Sequence, residues 1–489
     1  MSRLNMSRRA LLTGLTAGAG ILTLAGCQVA PGTGRDEFNL LSAEDESKMG
    51  RDSHPQILAQ FGGVVDDPAL SAYVAGLGQT LVRTTETPNA DFRFTVLNSD
   101  IVNAMALPGG YVYVTRGLLA LCGNEAELAG VVGHEIGHVL GRHSAQRYSR
   151  AMAANVFTTI LGIAVGTPGI ADVAQLGAGA WLQSYSRENE MEADHLGLRY
   201  MSRGGWNPQG MVSMLNRLRD HGRLEMLMAG RDPSEIDQTH FMATHPRTVD
   251  RVQAAIAEAG TANSGSLGEE VYLRHLDGLT YGDDPAEGVI RGTTFSHPVI
   301  GLRFDVPSGF HLTNGAKAVV ATDGQGAAII FDTAKAAGTD MLSYISRSWM
   351  PKSRLTNGEA LTINGMAAAT AATRGRTSKG NVDIRLVAIR FDADDVCRFT
   401  FVTPPSRTAS LGEALRRTTY SFQRLNAAEK AAIKPLRIRL HTVRAGDSVE
   451  SLAASQEVAD WQQERFRVLN GLEPGETLRP GQKVKLIRS

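Results

Sequence analysis

Residues 127–143 carry two histidines four positions apart, His134 and His138, with Glu135 directly after the first. Residues four apart lie on one face of an α-helix, about one turn from each other, so both imidazoles can bind one metal ion. Two neutral imidazoles suit zinc, and Glu135 would flank the ion, where a general base must stand. The spacing therefore predicts a helix that carries two zinc ligands and a catalytic base.

The flanking residues predict that this helix is buried at a crowded packing surface. Apolar side chains recur at helical spacing between Leu128 and Leu140, and Gly133, Gly137 and Gly141 form a second stripe with one glycine per turn. Each glycine costs a helix roughly 1 kcal/mol relative to alanine. We therefore expect another backbone to approach the helix closely along this stripe.

A zinc ion held by two histidines needs a third protein ligand, and a glutamate would complete the set used for peptide hydrolysis. The predicted helix at residues 186–197 offers Glu188, Glu190 and Glu192, and spacing alone does not choose among them. Asp194 lies four residues after Glu190, on the same helical face. It could orient a ligating histidine by accepting its second ring N–H.

Composition describes an ordinary globular protein. The chain has 489 residues, which is enough for more than one domain, and its formal net charge is zero. With no net positive charge and no basic stripe, we expect no nucleic-acid partner. Cys122 and Cys397 fall in different predicted domains, so we expect two separate buried cysteines rather than a disulfide.

The N-terminus indicates an export signal. Three arginines within the first nine residues precede a short apolar run that ends Leu24-Ala25-Gly26-Cys27. This ending resembles the lipobox of bacterial lipoproteins, and residues 7–12 also resemble a twin-arginine signal. The resemblance implies that residues 1–27 form a lipoprotein signal, that lipidated Cys27 anchors the protein, and that it faces the periplasm from the outer membrane or alternatively the inner one. An uncleaved anchor helix is the other interpretation.

The next segments predict an α+β chain. Residues 28–40 form a tether, and residues 42–82 are helical, with Ser42 as an N-cap and Pro68 opening a second helix. Residues 92–96 and 111–115 are predicted as the strands of a hairpin, which could cradle an extended peptide at its edge or only pack the core. The apolar stretch 151–182 could be a core helix, a lid or a lipid-contacting surface.

These features together resemble the M48 family of zinc metallopeptidases over roughly residues 41–258. Residues 41–50, 103–110 and 244–246, the last reading Thr-His-Pro, also match that family's pattern. The resemblance implies a mainly helical, zincin-like peptidase domain with one zinc ion per chain. It assigns Glu190 as the third ligand, with Asp194 one helical turn beyond it.

The resemblance also singles out His245 and Arg251. In relatives, the loop of His245 can place its histidine on the zinc as a fourth ligand, which would hold the enzyme latent; an ordinary loop histidine is the alternative. Arg251 or His245 could instead stabilise the oxyanion of the transition state. His143 and His195 are expected either to be structural or to support the ligands, rather than to bind the metal.

The C-terminal half predicts two further modules. Residues 259–297 form a linker, and short alternating segments at 298–425 predict a β-rich accessory domain. Residues 436–489 resemble a LysM-like module of βααβ topology. That resemblance implies binding of a glycan such as peptidoglycan, with a purely structural cap as the alternative.

The sequence thus predicts a zinc endopeptidase of the cell envelope that acts on polypeptide substrates. A second hypothesis is a chaperone or scaffold lipoprotein for outer-membrane proteins with latent protease activity. A third, a cell-wall-binding protein with a vestigial peptidase, is disfavoured by the intact set of metal ligands.

Overall fold

The computed structural model describes most of the chain with gaps at defined places. The described residues are 27–39, 41–147, 149, 185–228, 230, 232–233, 245, 248–259, 264–315, 318–377 and 380–489. The export signal predicted upstream of Cys27 and the whole apolar stretch 151–182 lie outside them.

The chain divides into two compact units. The first contains the described residues up to Leu279 together with Ile438–Gln456 and Trp461–Leu486, and the second contains Thr280–Arg437 with short pieces of the C-terminus. Both helices and sheets are present, so the fold is α+β. In the part of the chain that the structure describes, no helix has the length and apolar character needed to cross a bilayer.

The first unit is mainly helical. Its helices are α1 Ala43–Gln60, α2 Pro68–Val82, α3 Arg116–Leu121, α4 Glu125–Leu140, α5 Arg187–Arg203, α6 Gln209–Met228, α7 Thr248–Ala259 and α8 Glu269–Leu276. Ser42 caps α1 in a reciprocal capping box with Asp45, and Asp67 caps α2 directly before Pro68. Both predicted helix starts are confirmed.

A small sheet stands beside these helices. Its strands are β3 Arg93–Leu97, β4 Ala104–Leu107 and β5 Tyr111–Thr115, in the order β3-β5-β4. The predicted pairing was wrong: β3 lies parallel to β5, and the hairpin partner of β5 is β4, which lies in the segment between the two predicted strands. Gly109 and Gly110 form the turn with φ values of +79° and +84°. These values lie in the region that favours glycine, so the turn is tight enough for β4 to pair with β5.

Helices α4 and α5 pack backbone against backbone. A Cβ atom at Gly133 would lie 3.1 Å from the carbonyl oxygen of Gly197, and one at Gly137 would lie 3.0 Å from that of Ala193. Larger residues at these positions would push the two helices apart. The close approach predicted from the glycine stripe is confirmed at both positions, whereas Gly141 faces the ring of His143.

The segment predicted as a tether forms a short hairpin in the structure. Strand β1 Cys27–Val29 pairs antiparallel with β2 Asp36–Phe38. Ala30 is fully buried, and the Gly32 amide donates to the carbonyl of Leu140 at the end of α4 over 3.1 Å. The residues after Cys27 therefore contact the helix that carries the metal motif.

The second unit is built on β-sheets. Its strands are β6 Thr280–Tyr281, β7 Val289–Arg291, β8 Thr294–His297, β9 Leu302–Asp305, β10 His311–Asn314, β11 Val319–Thr322, β12 Ala328–Lys335, β13 Thr356–Ile363, β14 Met366–Thr377, β15 Gly380–Arg390, β16 Asp395–Thr403 and β17 Gln423–Arg424. Helix α9 Met341–Ser343 runs into a π-helical turn at Tyr344–Trp349, and α10 Thr408–Ser421 and α11 Ala427–Ala432 follow. The short alternating segments were thus correctly interpreted as strands.

Two sheets organise this unit. One has the order β10-β11-β12-β16-β15-β14-β13, and its pairs are antiparallel. The other has the order β17-β9-β8-β7. Phenylalanines such as Phe304, Phe331 and Phe399 fill the core between them. Because this core is separate from that of the first unit, the second unit has its own basis for stability.

The C-terminal module consists of β18 Leu436–Thr442, α12 Val449–Ala454, α13 Gln462–Asn470 and β19 Lys483–Arg488. This is the β-α-α-β order expected from the sequence, and Phe466 and Leu486 are fully buried in its small core. Cys122 and Cys397 are free and buried, as predicted.

Candidate active site

Two capped helices position the candidate site. The side chain of Asn124 accepts from the Glu127 amide at the start of α4, and that of Ser186 accepts from the Asn189 amide at the start of α5. These caps satisfy amides that the first helical turn leaves without partners. With the two starts fixed and the glycine backbones in contact, one face of α4 is turned toward the first turns of α5.

The site lies where these faces meet. The Nε2 atoms of His134 and His138 are 3.0 Å apart, and the Glu190 carboxylate lies 3.8 Å from the first and 3.4 Å from the second. Ligands bound tetrahedrally to zinc at about 2.0–2.1 Å would be about 3.3 Å from each other. The three side chains therefore fit one zinc ion. Within the described part of the chain, Glu190 is the acid brought to the two histidines, whereas Glu188 is exposed.

The protonation of the two imidazoles also fits a cation between them. His134 Nδ1 lies 2.8 Å from Asp194, and His138 Nδ1 lies 2.8 Å from His143 Nδ1. When both Nδ1 atoms carry the proton, both Nε2 atoms present lone pairs to each other. Two lone pairs 3.0 Å apart repel unless a positive ion lies between them. In this tautomeric arrangement, the two Nε2 atoms and the Glu190 carboxylate form a donor set that suits a metal ion.

Burial supports the same conclusion. It lowers the pKa of His134, and it lowers the pKa of His138 well below the usual value with help from the neighbouring histidines. Burial also raises the pKa of Glu190 well above its usual range, although Arg251 acts in the opposite direction. Neutral imidazoles and a buried carboxyl group are the chemistry of a divalent-cation site.

Glu135 is fully buried beside the ligands, and neither of its carboxylate oxygens has a hydrogen-bond partner within the described ranges. Burial raises its pKa to about 8. An unsatisfied buried carboxylate is costly to maintain and is typical of functional sites. The geometry gives Glu135 the properties of a group that accepts and releases a proton near neutral pH.

Asp194 and Arg251 hold the ligands from behind. Asp194 accepts a hydrogen bond from His134 and forms a bidentate pair with Arg251, with both distances 2.7 Å. Arg251 also lies 2.8 Å from the Glu190 carboxylate and donates to the His245 carbonyl. Burial raises the pKa of Asp194, but the Arg251 and His134 contacts outweigh it and hold the pKa below the usual range. Arg251 is therefore paired with both Glu190 and Asp194, which favours a positioning role over the oxyanion contact considered from the sequence.

A second support, that of His138, is provided by His143, whose partner the sequence did not reveal. A hydrogen bond joins His143 Nδ1 to His138 Nδ1. The Nε2 atom of His143 lies 3.3 Å from the Glu192 carboxylate, and Arg35 lies 3.7 Å from the same carboxylate. Tyr185 stacks on the His138 ring with centroids 3.9 Å apart. A supporting role for His143 was predicted from the sequence, but the residue that pairs with it was not. The signal available was only a histidine five residues after the motif, because its partner is contributed by α5.

His245 and His195, the other two histidines considered from the sequence, lie in different places. His245 is buried in the site, and its side chain belongs with those of His134, His138 and Glu190 to a group whose ligand atoms all lie within 4.8 Å of one another. Its neighbours at 244, 246 and 247 lie outside the described residues. His195 instead pairs with Glu258 at 2.6 Å on an exposed surface and takes no part in the site.

Two imidazoles and an acid placed to hold one ion, with a buried glutamate beside them, are an arrangement typical of metallopeptidases. Residues 68–259 match the model of Peptidase family M48, and residues 441–486 match that of the LysM domain. The chain thus carries an M48 peptidase domain and a LysM domain.

Several known proteins are similar to part of the chain. The Beta-barrel assembly-enhancing protease of Yersinia pestis is 34% identical over 225 residues, covering 44% of this chain and 46% of that protein. Its Escherichia coli (strain K12) counterpart is 32% identical over 220 residues, covering 43% and 44%. Mitochondrial metalloendopeptidase OMA1 of Schizosaccharomyces pombe is 26% identical over 242 residues, covering 49% and 68%. The chain spans less than half the length of the two bacterial relatives.

We predict that Asp194→Asn weakens zinc binding by about 10- to 100-fold, because the amide no longer fixes the tautomer of His134. Competition with a chromogenic chelator measures this affinity. Glu188→Gln removes the same charge from an exposed position of the same helix and should leave zinc affinity unchanged. Equal affinities of the two variants would contradict the role assigned to Asp194.

Proposed function

We propose that this protein is a zinc endopeptidase. The observation that carries the proposal is the convergence of His134, His138 and Glu190 on one point, with the unsatisfied carboxylate of Glu135 beside it. A purely structural zinc site would need no unsatisfied buried carboxylate next to its ligands.

Each residue has a distinct role in this proposal. When bound, zinc would supply Lewis-acid polarisation of the scissile carbonyl and the attacking water. Glu135 takes the proton from the water at its carboxylate and delivers it to the leaving amine. Asp194 holds the His134 ring, and His143 holds the His138 ring. Arg251 keeps Glu190 and Asp194 in place by pairing with both.

The envelope is the proposed setting. The relatives named as Beta-barrel assembly-enhancing proteases support polypeptide substrates in the envelope, in particular misfolded or misassembled envelope proteins. A lipid on Cys27 would anchor the enzyme at the periplasmic side of the outer membrane, or alternatively of the inner one. The LysM domain supports an additional contact with peptidoglycan. Strand β4, at the edge of its sheet, is the proposed cradle for extended substrate.

We predict that Glu135→Gln lowers the rate of hydrolysis of unfolded polypeptide by about 10²- to 10⁴-fold, because the base for water is lost. Release of fluorescent peptides from labelled casein measures the rate. Zinc content by mass spectrometry should stay at the wild-type level, since Glu135 is not a ligand. Retained turnover in this variant would refute the assigned base.

A second function, that of a latent enzyme with a chaperone or scaffold role, is favoured by the position of His245. Its Nε2 atom lies 3.5 Å from Glu135, within the group of potential ligands. Bound as a fourth ligand, His245 would occupy the position that the catalytic water needs. Arg251 donates to the His245 carbonyl and so favours this placement.

We predict that His245→Ala raises the hydrolysis rate several-fold over wild type, because the fourth position becomes available to water. The same casein assay measures it, with zinc content as the internal control. His195→Ala, a change of an exposed histidine outside the site, should have no effect. A rate at or below wild type in His245→Ala, with zinc retained, would exclude the latch.

A further inference from the structure

A cleft of about 1230 Å³ lies in the second unit, between helix α10 and one face of the seven-stranded sheet. Pockets for small molecules are usually roughly 300–1,000 Å³. The cleft is larger than this range and therefore suits a segment of a chain molecule. It lies in a different unit from the metal site, so the proposed chemistry leaves it unassigned.

The pairing of the strands shows how the cleft arises. Thr356, Ala372, Arg385 and Phe401 are consecutive partners across four strands, so they lie on one face of the sheet. Two residues along β15 on the same face, Val387 is buried in the core. The apolar core thus ends at Arg385. The alternation of side chains along β15 predicts an apolar residue at this position, and a charged one occupies it.

The charge of the cleft is strongly positive. Five cationic residues line it, against two acidic ones, Glu359 and Asp383. The cationic residues are Lys352, Arg354, Arg374, Arg385 and Arg416. Arg374 pairs with Asp383, and in the described part of the chain the other four have no carboxylate partner. Unneutralised cations around one concave surface favour an anionic ligand.

The cleft is also bordered by a free sheet edge. Strand β13 is the last strand of its sheet, and its residues 356–360 are all exposed. Such an edge presents backbone groups that can pair with an extended peptide. Thr370, Thr403 and Thr408 line the cleft beside apolar side chains. Polar groups mixed with apolar ones suit a peptide better than a lipid chain, which needs a continuous apolar sleeve.

We propose that this cleft binds an extended, acidic segment of polypeptide through Arg385, Arg416 and the edge of β13. The inference rests on the proposed function, since such a site would hold substrate away from the metal centre. It assigns to the second unit a substrate-docking role and to the substrate a preference for acidic extended segments.

The test uses the full chain with Glu135→Gln, so that the probe is not cleaved. A fluorescein-labelled peptide of alternating Glu and Val is titrated with protein, and fluorescence anisotropy gives the Kd. Arg416→Glu should raise the Kd about fivefold or more, because it replaces an attraction by a repulsion. Arg417→Glu, on the adjacent residue outside the cleft, should change it less than twofold. The same peptide with Lys for Glu should not bind.

Equal Kd values for the Arg416 and Arg417 variants would overturn the proposal. The proposal would also be overturned if the protein bound phosphatidylglycerol vesicles but not the acidic peptide, and if Arg416→Glu abolished the vesicle binding. Casein hydrolysis by the chain with Glu135 intact is measured in parallel. Loss of peptide docking with hydrolysis preserved rejects the cleft alone, whereas absent hydrolysis with docking preserved rejects the proposed enzyme.

A second, independent observation concerns Lys485 of the C-terminal module. Its side chain is fully buried, and its ammonium group donates to the carbonyls of Ala120, Leu121 and Cys122 over 2.6, 3.2 and 2.8 Å. These carbonyls end helix α3, where the last turn has no internal donors and the helix dipole is negative. An ammonium group has three N–H bonds, so donors and acceptors match in number.

Another contact ties the module to the metal helix. A Cβ atom at Gly471, directly after α13, would clash with the guanidinium group of Arg217 in α6. Arg217 in turn donates to Glu127 in the first turn of α4. The module therefore contacts the end of α3 and a side chain bonded to α4, the helix of His134 and His138.

We infer that Lys485 is a positioning residue that fixes the LysM domain to the peptidase domain and holds the start of the metal helix. The module then acts as a brace for the site in addition to any glycan contact. A merely structural role would confine the effect of its loss to the module itself.

Hydrogen exchange and zinc affinity of the full chain test this inference. Lys485→Met should speed exchange in residues 116–128 and weaken zinc binding several-fold. Lys483→Met, on the same strand but partly exposed, should change neither. Gly471→Ala is a second variant, because the added methyl group would displace Arg217. Gly475→Ala is its control, since Gly475 also has a positive φ but a Cβ there would lie in open space. Zinc affinity at the wild-type level in both Lys485→Met and Gly471→Ala would overturn the inference.

Discussion

The contact between the backbones of α4 and α5 is the constraint on which the site depends. Gly133 and Gly137 remove the side chains that would separate the helices, so Glu190 reaches the two imidazoles. The arrangement concentrates buried lone pairs and carboxylates in one place, at a cost that only a cation can offset. Arg251 neutralises part of this charge and leaves the remainder to the metal.

Both histidines are held by a partner on their outer nitrogen. Asp194 serves His134, and His143 serves His138 with Glu192 behind it. Helix α5 thus supplies the candidate ligand Glu190, the direct support of His134 and, with Glu192, the partner of His143. The hairpin after Cys27 adds Arg35 near Glu192, so the segment next to the predicted lipid site is part of the same network.

The sequence was informative where functional or capping residues recur at the spacing of a helix. The H-E-x-x-H spacing, the glycine stripe and the caps at Ser42 and Pro68 are local signals, and each predicts its element directly. The position of β4 was missed because the short run Ala104–Leu107 has no alternation and becomes a strand through its partner β5. The choice among Glu188, Glu190 and Glu192 needed the rotation of α5 against α4. The roles of His143, Lys485 and Arg385 depend on contacts between residues distant in sequence, which one sequence does not reveal.

The central claim is that two imidazoles and one carboxylate from separate helices enclose a single zinc ion. X-ray absorption at the zinc edge of the purified full chain tests it most directly. The account predicts a shell of nitrogen and oxygen at about 2.0–2.1 Å with imidazole scattering and no sulfur at about 2.3 Å, and loss of one oxygen in Glu190→Ala. A sulfur shell, or a shell unchanged in that variant, would contradict it.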